Sequence, residues 1–417
     1  MIIRRFLLWA RMASATDRAH GAGHLARAFL QADLTVDERS EARTALISLL
    51  DDPAPVVRRA IAEAMGSAYD TPRAIAVSLA HDQSDIAAIV LARSPVLTDA
   101  DLIEAIRHGD DLVQTAIAIR TGLSQIVTRC LAERGSADAL IALADNHGAP
   151  LAPEDFMAML DRHGADARLR DAIAGRDDLP VAVRQQLTVA LARALSLFTQ
   201  DAGWLGSLRG ERVTREAQER ATLALALDDE AAIEDLIGHL RETDQLTPSL
   251  ILRALLSGAT QFVEAVLSEL SGLPRSRVAG LMNDRRLSGF SALYRNAGLP
   301  ASLAPAFHAA IAALQSAGKR APVARAQLIA PLVEAVVEAC EDLPVADVGA
   351  LQALLNRFLA EASRESARVA ASDLADQAAL QTLLEIDPDV VLLNPEPQVT
   401  SDAFAPNIHP AAVRMIA

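Results

Sequence analysis

The most constraining stretch of this chain runs from Leu49 to Met65, LLDDPAPVVRRAIAEAM, where one amphipathic helix stops and another starts almost at once. Leu46, Leu49 and Leu50 close one apolar face. Asp51, Asp52, Pro53 and Pro55 then end that helix, because proline removes a backbone donor and restricts the residue before it. Val57, Ile61, Ala64 and Met65 return at spacings of four, three and one, which is a single face of an α-helix, while Arg58, Arg59 and Glu63 point elsewhere. A helix pair this short cannot bury its apolar face alone, so it needs neighbours of the same kind.

The pattern recurs along the first half. Thr35 and Glu38 have the spacing of a capping box. Thr71-Pro72 reads as an N-cap with proline at the first helical position, and Thr98 with Asp101 as another cap. Turn aspartates at 52, 82 and 110 recur at intervals of 30 and 28 residues, within the range of helical repeats. His108-Gly109, His147-Gly148 and His163-Gly164 read as C-caps, with glycine supplying the left-handed residue and histidine facing the carbonyl end of the dipole. Arg176 to Arg184 repeats the logic of acidic turn, proline and Val-Arg. That turn resembles the turn of a HEAT repeat, in which two antiparallel helices pack and stack on the next pair.

The expected fold is therefore all-α, a HEAT-like α-solenoid with a C-terminal helical region and an extended tail. Its sections are helical repeats over residues 1–198, a link over 199–214 where Gly203, Gly206 and Gly210 surround Trp204, and a second helical-repeat region over 215–320. Long helices over 321–387 and an extended or disordered tail over 388–417 follow. Composition agrees: 51% of residues are hydrophobic but only 3% aromatic, so the core must be built from Ala, Leu, Val and Ile, which suits close helix packing. A stack also grows by addition, and 417 residues exceed one ordinary core.

The net charge of −15 disfavours a general nucleic-acid binder, whose affinity comes from neutralising phosphates. Lys319 is the sole lysine among 39 basic residues, a bias of composition that carries no functional inference. Cys130 and Cys340 are far apart in helical apolar patterns, as free thiols in a reducing cytoplasm would be. No segment approaches the ~20 apolar residues of a membrane span. The first twelve residues, MIIRRFLLWARM, form an amphipathic basic helix, read as the capping helix of a solenoid ahead of a membrane-surface helix.

Between Pro274 and Gly298 lies the densest basic and aromatic grouping: Arg275, Arg277, Arg285, Arg286 and Arg295 against one acid, Asp284, with Phe290 and Tyr294 interleaved. Arginine forks there would grip carboxylates or phosphates beside a stacking ring, making these residues the leading partner-binding candidates. The bland counterpart is a solvated arginine face with both rings in the core.

Taken together, Arg18, Leu25 and Phe29, the stretch LLDDPAPVVRRAIAEAM, Thr247-Pro248-Ser249-Leu250 and Gly289 to Pro300 resemble the alphaproteobacterial domain-of-unknown-function family 2336 over roughly residues 4–315. The resemblance implies a cytoplasmic helical-repeat protein and brings no catalytic residues with it.

Other chemistry is thinly represented. Gly21 to Ala26 fits a permissive dinucleotide fingerprint but no strand precedes it. His20 and His24, four apart with Asp17 before them, could share a helix face as metal ligands, but Gly21 and Gly23 weaken that helix and no third histidine lies close in sequence. No nucleophile elbow, His-Glu-x-x-His or paired Cys-x-x-Cys occurs. The expectation is a non-enzymatic scaffold or adaptor that holds a protein or peptide in its groove and needs no cofactor or metal. Its own C-terminal tail would bind in that groove and mask it, a reading motivated by the acidic C-terminal region and the basic Pro274–Gly298 stretch, and its C-terminal helices would cap the stack or pair with a second copy. The rivals are a HEAT-like DNA-repair glycosylase, which requires arginines of several repeats to converge on one groove, and a stress or cell-cycle signalling regulator.

Overall fold

The computed structural model describes residues 2–203, 206–284, 287–317, 325–341 and 345–385. Among them every regular element is helical, with 22 α-helices and two 3₁₀ turns. The chain divides into two compact units, Met1–Thr214 and Arg215–Ala417.

The first unit contains α1 (Ile2–Ala10), α2 (Ala15–Gln31), α3 (Val36–Leu49), α4 (Pro55–Met65), α5 (Arg73–Ala80), α6 (Ser84–Arg93) and α7 (Asp99–His108). It continues with α8 (Asp111–Ala118), α9 (Gln125–Arg134), α10 (Ala137–Asp145), α11 (Pro153–His163), α12 (Ala167–Ala174) and α13 (Val181–Asp201). The helix α2 packs on α4, α4 on α6, and so on through α8 and α10 to α12. A second row is made by α1, α3 and α5, then by α7, α9, α11 and α13. Two such rows of stacked antiparallel pairs are an α-solenoid.

One apolar cluster runs through this stack from Ala22 to Leu187, with Leu46, Ile61, Met65, Leu79, Ile86 and Leu91 fully buried. Each such side chain stabilises the fold by about 1.5–3 kcal/mol relative to exposure. Alanines such as Ala62, Ala87, Ala132 and Ala144 sit at the contacts between them, letting helix axes approach closely.

Several sequence signals act as expected. The Thr35 hydroxyl accepts from the Glu38 N–H and the Glu38 carboxylate accepts from the Thr35 N–H. The Asp101 carboxylate accepts from the Thr98 N–H and hydroxyl at 2.7 Å. Two others differ. Thr71 does not cap α5, whose N-cap is Pro72; its buried hydroxyl donates to the Met65 carbonyl at 2.7 Å, satisfying an orphan acceptor at the end of α4. The glycines of the three His-Gly pairs are not left-handed; φ is −78° at Gly109 and −63° at Gly164. At Gly109 and Gly164 glycine serves by close approach, since a Cβ on Gly109 would collide with the Ala105 carbonyl and the Val113 side chain and one on Gly164 with the Leu160 carbonyl. The left-handed residue does occur after the later helices, at Gly258 and Gly272 with φ of 68°.

Between repeats, polar side chains form a ladder. Arg18 on α2 grips both oxygens of Asp52 at 2.7 and 2.9 Å, and Arg58 on α4 grips both oxygens of Asp82 at 2.6 and 2.8 Å. Farther along, the ladder switches to carbonyls. Arg120 donates to Leu91 and Ser94, Asn146 to Ala118 and Arg120, and Arg162 to Ala132 and Gly135. Arg176 donates to Ala144, Asn146 and Ala149. The acceptors lie at or just beyond helix ends, where carbonyls lack an intrahelical partner.

The carboxylate half of the ladder is sensitive to acid. The Arg18 hydrogen bond holds Asp52 below the usual carboxylate range; at Asp82 burial pushes upward but the bonds from Arg58 and the Gln83 N–H outweigh it. A depressed folded pKa gives stability that is present above the unfolded value, ~4, and is lost as pH falls through the folded value. The melting temperature of the first unit is therefore expected to drop between pH 5 and pH 3. An Asp52→Asn/Asp82→Asn variant should melt lower at neutral pH and show a shallower acid slope. Parallel acid slopes for the two proteins would mean these pairs contribute nothing.

The second unit comprises the part of α14 (Ser207–Asp228) from Arg215 on, then α15 (Ile233–Glu242), α16 (Pro248–Leu256), α17 (Thr260–Ser271), α18 (Arg275–Met282) and α19 (Ser288–Asn296). It closes with α20 (Ala304–Ala317), α21 (Arg325–Glu341) and the 41-residue α22 (Val345–Glu385). The helices α15, α17 and α19 pack in series, while α16 packs on α17, α20 and α21, and α21 on α22. Thr247 caps α16 through the Leu250 N–H at 3.2 Å with Pro248 in the first turn. The stretch 199–214, expected as a link, contains the end of α13 and the start of α14; the tail 388–417 lies outside the described residues.

Candidate functional site

The basic and aromatic stretch resolves into two unlike sets of side chains. Phe290 and Tyr294 on α19 are buried, and the Tyr294 ring lies tilted at 5.1 Å from Phe307 while Phe290 meets His308 edge-on at 5.4 Å. The Tyr294 hydroxyl donates to the Pro300 carbonyl at 2.7 Å, and burial pushes its pKa up to about 12. Neither ring is open to a partner, so the stacking surface expected beside the arginines does not form. Both rings alternate with surface positions at helical spacing and take the core side of α19. Arg277 and Arg295 are exposed, and half-exposed Arg275 donates to the Gln261 carbonyl at 3.1 Å. Arg285 and Arg286 lie outside the described residues.

Beside the rings, Ser291 Oγ lies 2.8 Å from His308 Nε2, and His308 Nδ1 lies 2.7 Å from the Ala304 carbonyl. The carbonyl requires Nδ1 to carry the proton, which leaves Nε2 as acceptor, the tautomer of a general base. The Ser291 hydroxyl also faces the Leu287 carbonyl at 3.0 Å. The pair closes the gap between α19 and α20.

Among the described residues of the second unit, a buried cluster of charge centres on Arg253, in the middle of α16. Its Nε donates to Glu219 on α14 at 2.8 Å, its Nη1 donates to Glu361 on α22 at 2.6 Å, and its guanidinium lies 4.4 Å over the Phe358 ring. Arg220 on α14 pairs with the other Glu361 oxygen at 2.8 Å, and Arg357 on α22 stands 3.9 Å from Glu216. Arg220, Arg253, Leu256, Ser257, Val333, Phe358, Glu361 and Ala362 line a cavity of about 140 Å³.

Each cation in this network faces a carboxylate, so the cavity holds no excess charge to draw an ion from solution. The physical effect is to fasten α22 to α14 and α16 through a desolvated fork, which specifies register as well as adding energy. The sequence does signal it: Arg253 is the one charge in Pro248–Leu256, an otherwise apolar run apart from Ser249. Its partners, 34 residues before and 108 after, are visible only in the fold.

A second cavity, of about 190 Å³, lies between the end of α14 and the start of α17, lined by Leu227, Glu230, Ile233, Thr260, Gln261 and Phe262 among others. Among the described residues no three His, Cys, Asp or Glu side chains converge as a metal site would require, and His20 and His24 are exposed. Burial pushes the thiols of Cys130 and Cys340 up, away from the reactive thiolate. No described helix is long and apolar enough to cross a membrane.

No curated protein and no solved structure matches the chain. A family described as an uncharacterised protein conserved in bacteria, domain-of-unknown-function family 2336, matches residues 86–346. The match takes in α6 to α21, with Arg253 and Glu219, and stops short of Phe358 and Glu361; the sequence likeness seen at Arg18 to Met65 falls outside it. By that match, which covers more than half of its length, the chain belongs to domain-of-unknown-function family 2336.

Proposed function

We propose that the protein is a non-enzymatic helical-repeat scaffold that holds a protein or peptide partner along the stacked helices of its first unit. The observation that carries this reading is the direction of the repeat arginines. Arg18, Arg58, Arg120, Arg162 and Arg176 are engaged by aspartates and carbonyls of neighbouring repeats. Large apolar side chains on the row from α2 to α12 are instead open to solvent, including Val56 on α4, Leu112 on α8 and Ile119 just after it. Other arginines of this unit, among them Arg27, Arg43, Arg107 and Arg134, are exposed, but the guanidiniums that bridge repeats are engaged by protein acceptors beside open apolar groups, which suits a polypeptide better than a phosphate backbone. The DNA-repair glycosylase reading needs those arginines on one groove.

Masking by the chain's own end deepens this proposal. Residues 388–417 contain Val390, Val391, Leu392, Leu393 and Phe404 among five prolines, a sequence suited to a groove. Pairing of two copies through α22 is its companion, since the described side chains from Ser363 to Ala378 are exposed apart from half-exposed Ser366. The test is crosslinked affinity capture from native lysate with the full chain, a chain ending at Asp387 and a Leu112→Glu/Ile119→Glu variant, with and without nuclease. A discrete protein partner that survives nuclease, increases several-fold on truncation and disappears with the glutamates is expected. Nuclease-sensitive recovery would overturn the scaffold reading, and unchanged recovery on truncation would end the masking proposal. Light scattering of the same samples gives twice the chain mass if α22 pairs, and the single mass if it does not.

A further inference from the structure

The helix α1 and the turn after it carry a property that a repeat scaffold does not require. We propose that this end of the first unit is a membrane-surface contact, which seats the molecule on a bilayer containing anionic lipid. One side of α1 is committed to protein. The Phe6 and Trp9 rings lie 5.5 Å apart, and a Cβ on Gly21 would stand 2.8 Å from each, so α1 rests directly on α2 where glycine leaves room. It also packs on α3.

The opposite side is open. Leu8 is 65% exposed and Met12 90%, exposed Arg5 and Arg11 stand among them, and Trp9, packed on α2 at the edge of this side, keeps 43% of its surface open. Residues 1–16 contain Arg4, Arg5 and Arg11 and no acid, within a chain of net charge −15. This end therefore attracts an anionic surface that repels the bulk of the molecule, and the opposition orients the approach.

Charge alone would also suit an acidic peptide, but ion pairing would leave Leu8 and Met12 in water. A bilayer accepts both kinds of group. Leucine and methionine enter the acyl boundary, the arginine stems follow them while their guanidiniums reach the lipid phosphates, and the Trp9 ring sits at headgroup depth. The helix has nine residues, too few to span, so the contact lies on the surface.

The test is flotation of the full chain with vesicles of equal parts phosphatidylglycerol and phosphatidylcholine, against vesicles of phosphatidylcholine alone. Binding to the anionic vesicles at low salt is expected, at least ten-fold weaker on neutral vesicles and largely lost in high salt. Replacing Arg5→Gln and Arg11→Gln together should weaken it roughly 25-fold at low ionic strength. Replacing Leu8→Ser and Met12→Ser together should weaken it roughly ten-fold or more with the charge intact. All four side chains face solvent, and unchanged helical circular dichroism confirms that the variants fold. No flotation, equal flotation on neutral vesicles, or full binding by the serine variant would overturn the proposal. Binding of polyglutamate that is indifferent to the serine changes would assign this end to an acidic polypeptide instead.

Discussion

Replacing Arg253 by alanine is expected to destabilise the second unit by about 3–5 kcal/mol, because it leaves buried carboxylates without their cation. Glu219 and Glu361 are both largely shielded from water, and each accepts a direct hydrogen bond from the guanidinium. The change also removes the cation from the face of Phe358. Arg253→Lys keeps the charge but cannot reach both carboxylates as a planar fork, so an intermediate loss is expected. Replacing the set with apolar residues, Arg253→Met with Glu219→Leu and Glu361→Leu, should recover most of the stability, because no charge is then stranded. Hydrogen exchange read peptide by peptide is the suitable measurement, since a chain of two units need not unfold in one step. Faster exchange in α14, α16 and α22, with α2 to α12 unchanged, is the expected pattern. An alanine variant within 1 kcal/mol of the parent would show that water already compensates the network.

The second large effect is expected at Arg176. Its side chain is 1% exposed and lies 5.5 Å over the Phe156 ring while donating to three carbonyls around the end of α10 and to Asp178. Arg176→Met keeps the apolar stem and removes every donor, leaving carbonyls buried without partners at about 1–3 kcal/mol for each one that water cannot reach. A total loss of about 3 kcal/mol is expected, with exchange accelerated first in α10 and the turn to α11. Asp178→Ala should cost far less, because Asp178 is 60% exposed on its side chain and the surface half of an ion pair contributes little. Equal losses at the two positions would mean the ion pair, and not the carbonyl ladder, carries the stabilisation.

Much of the local structure was legible because its causes are local. The stop at Asp51 to Pro55 and restart at Val57, the capping box of Thr35 and Glu38 and the Thr247-Pro248 start depend on residues within one turn of each other. The glycines of the His-Gly pairs and the role of Thr71 were misread for a physical reason. At Gly109 the deciding fact is how closely Val113 and the Ala105 carbonyl approach, and at Thr71 it is the path of the turn, which brings the Met65 carbonyl six residues back within reach of its hydroxyl. Propensity carries neither.

The Pro274–Gly298 stretch shows the same division at the candidate site. Sequence placed five arginines and two rings within 25 residues, but the helical period of α19 turned Phe290 and Tyr294 inward, away from exposed Arg295. Arg253 was visible as a lone charge in an apolar helix, while its tie to Glu361 required α22 to return from 108 residues on.

By itself the sequence determined that this protein is a stack of short helices, because the apolar period, the proline stops and the caps are each set by neighbours along the chain. Only the tertiary structure decided how the charges are used. A guanidinium on one helix finds its carboxylate or carbonyl some 24 to 34 residues away, as Arg58 finds Asp82 and Arg253 finds Glu219, once stacking has brought those helices side by side.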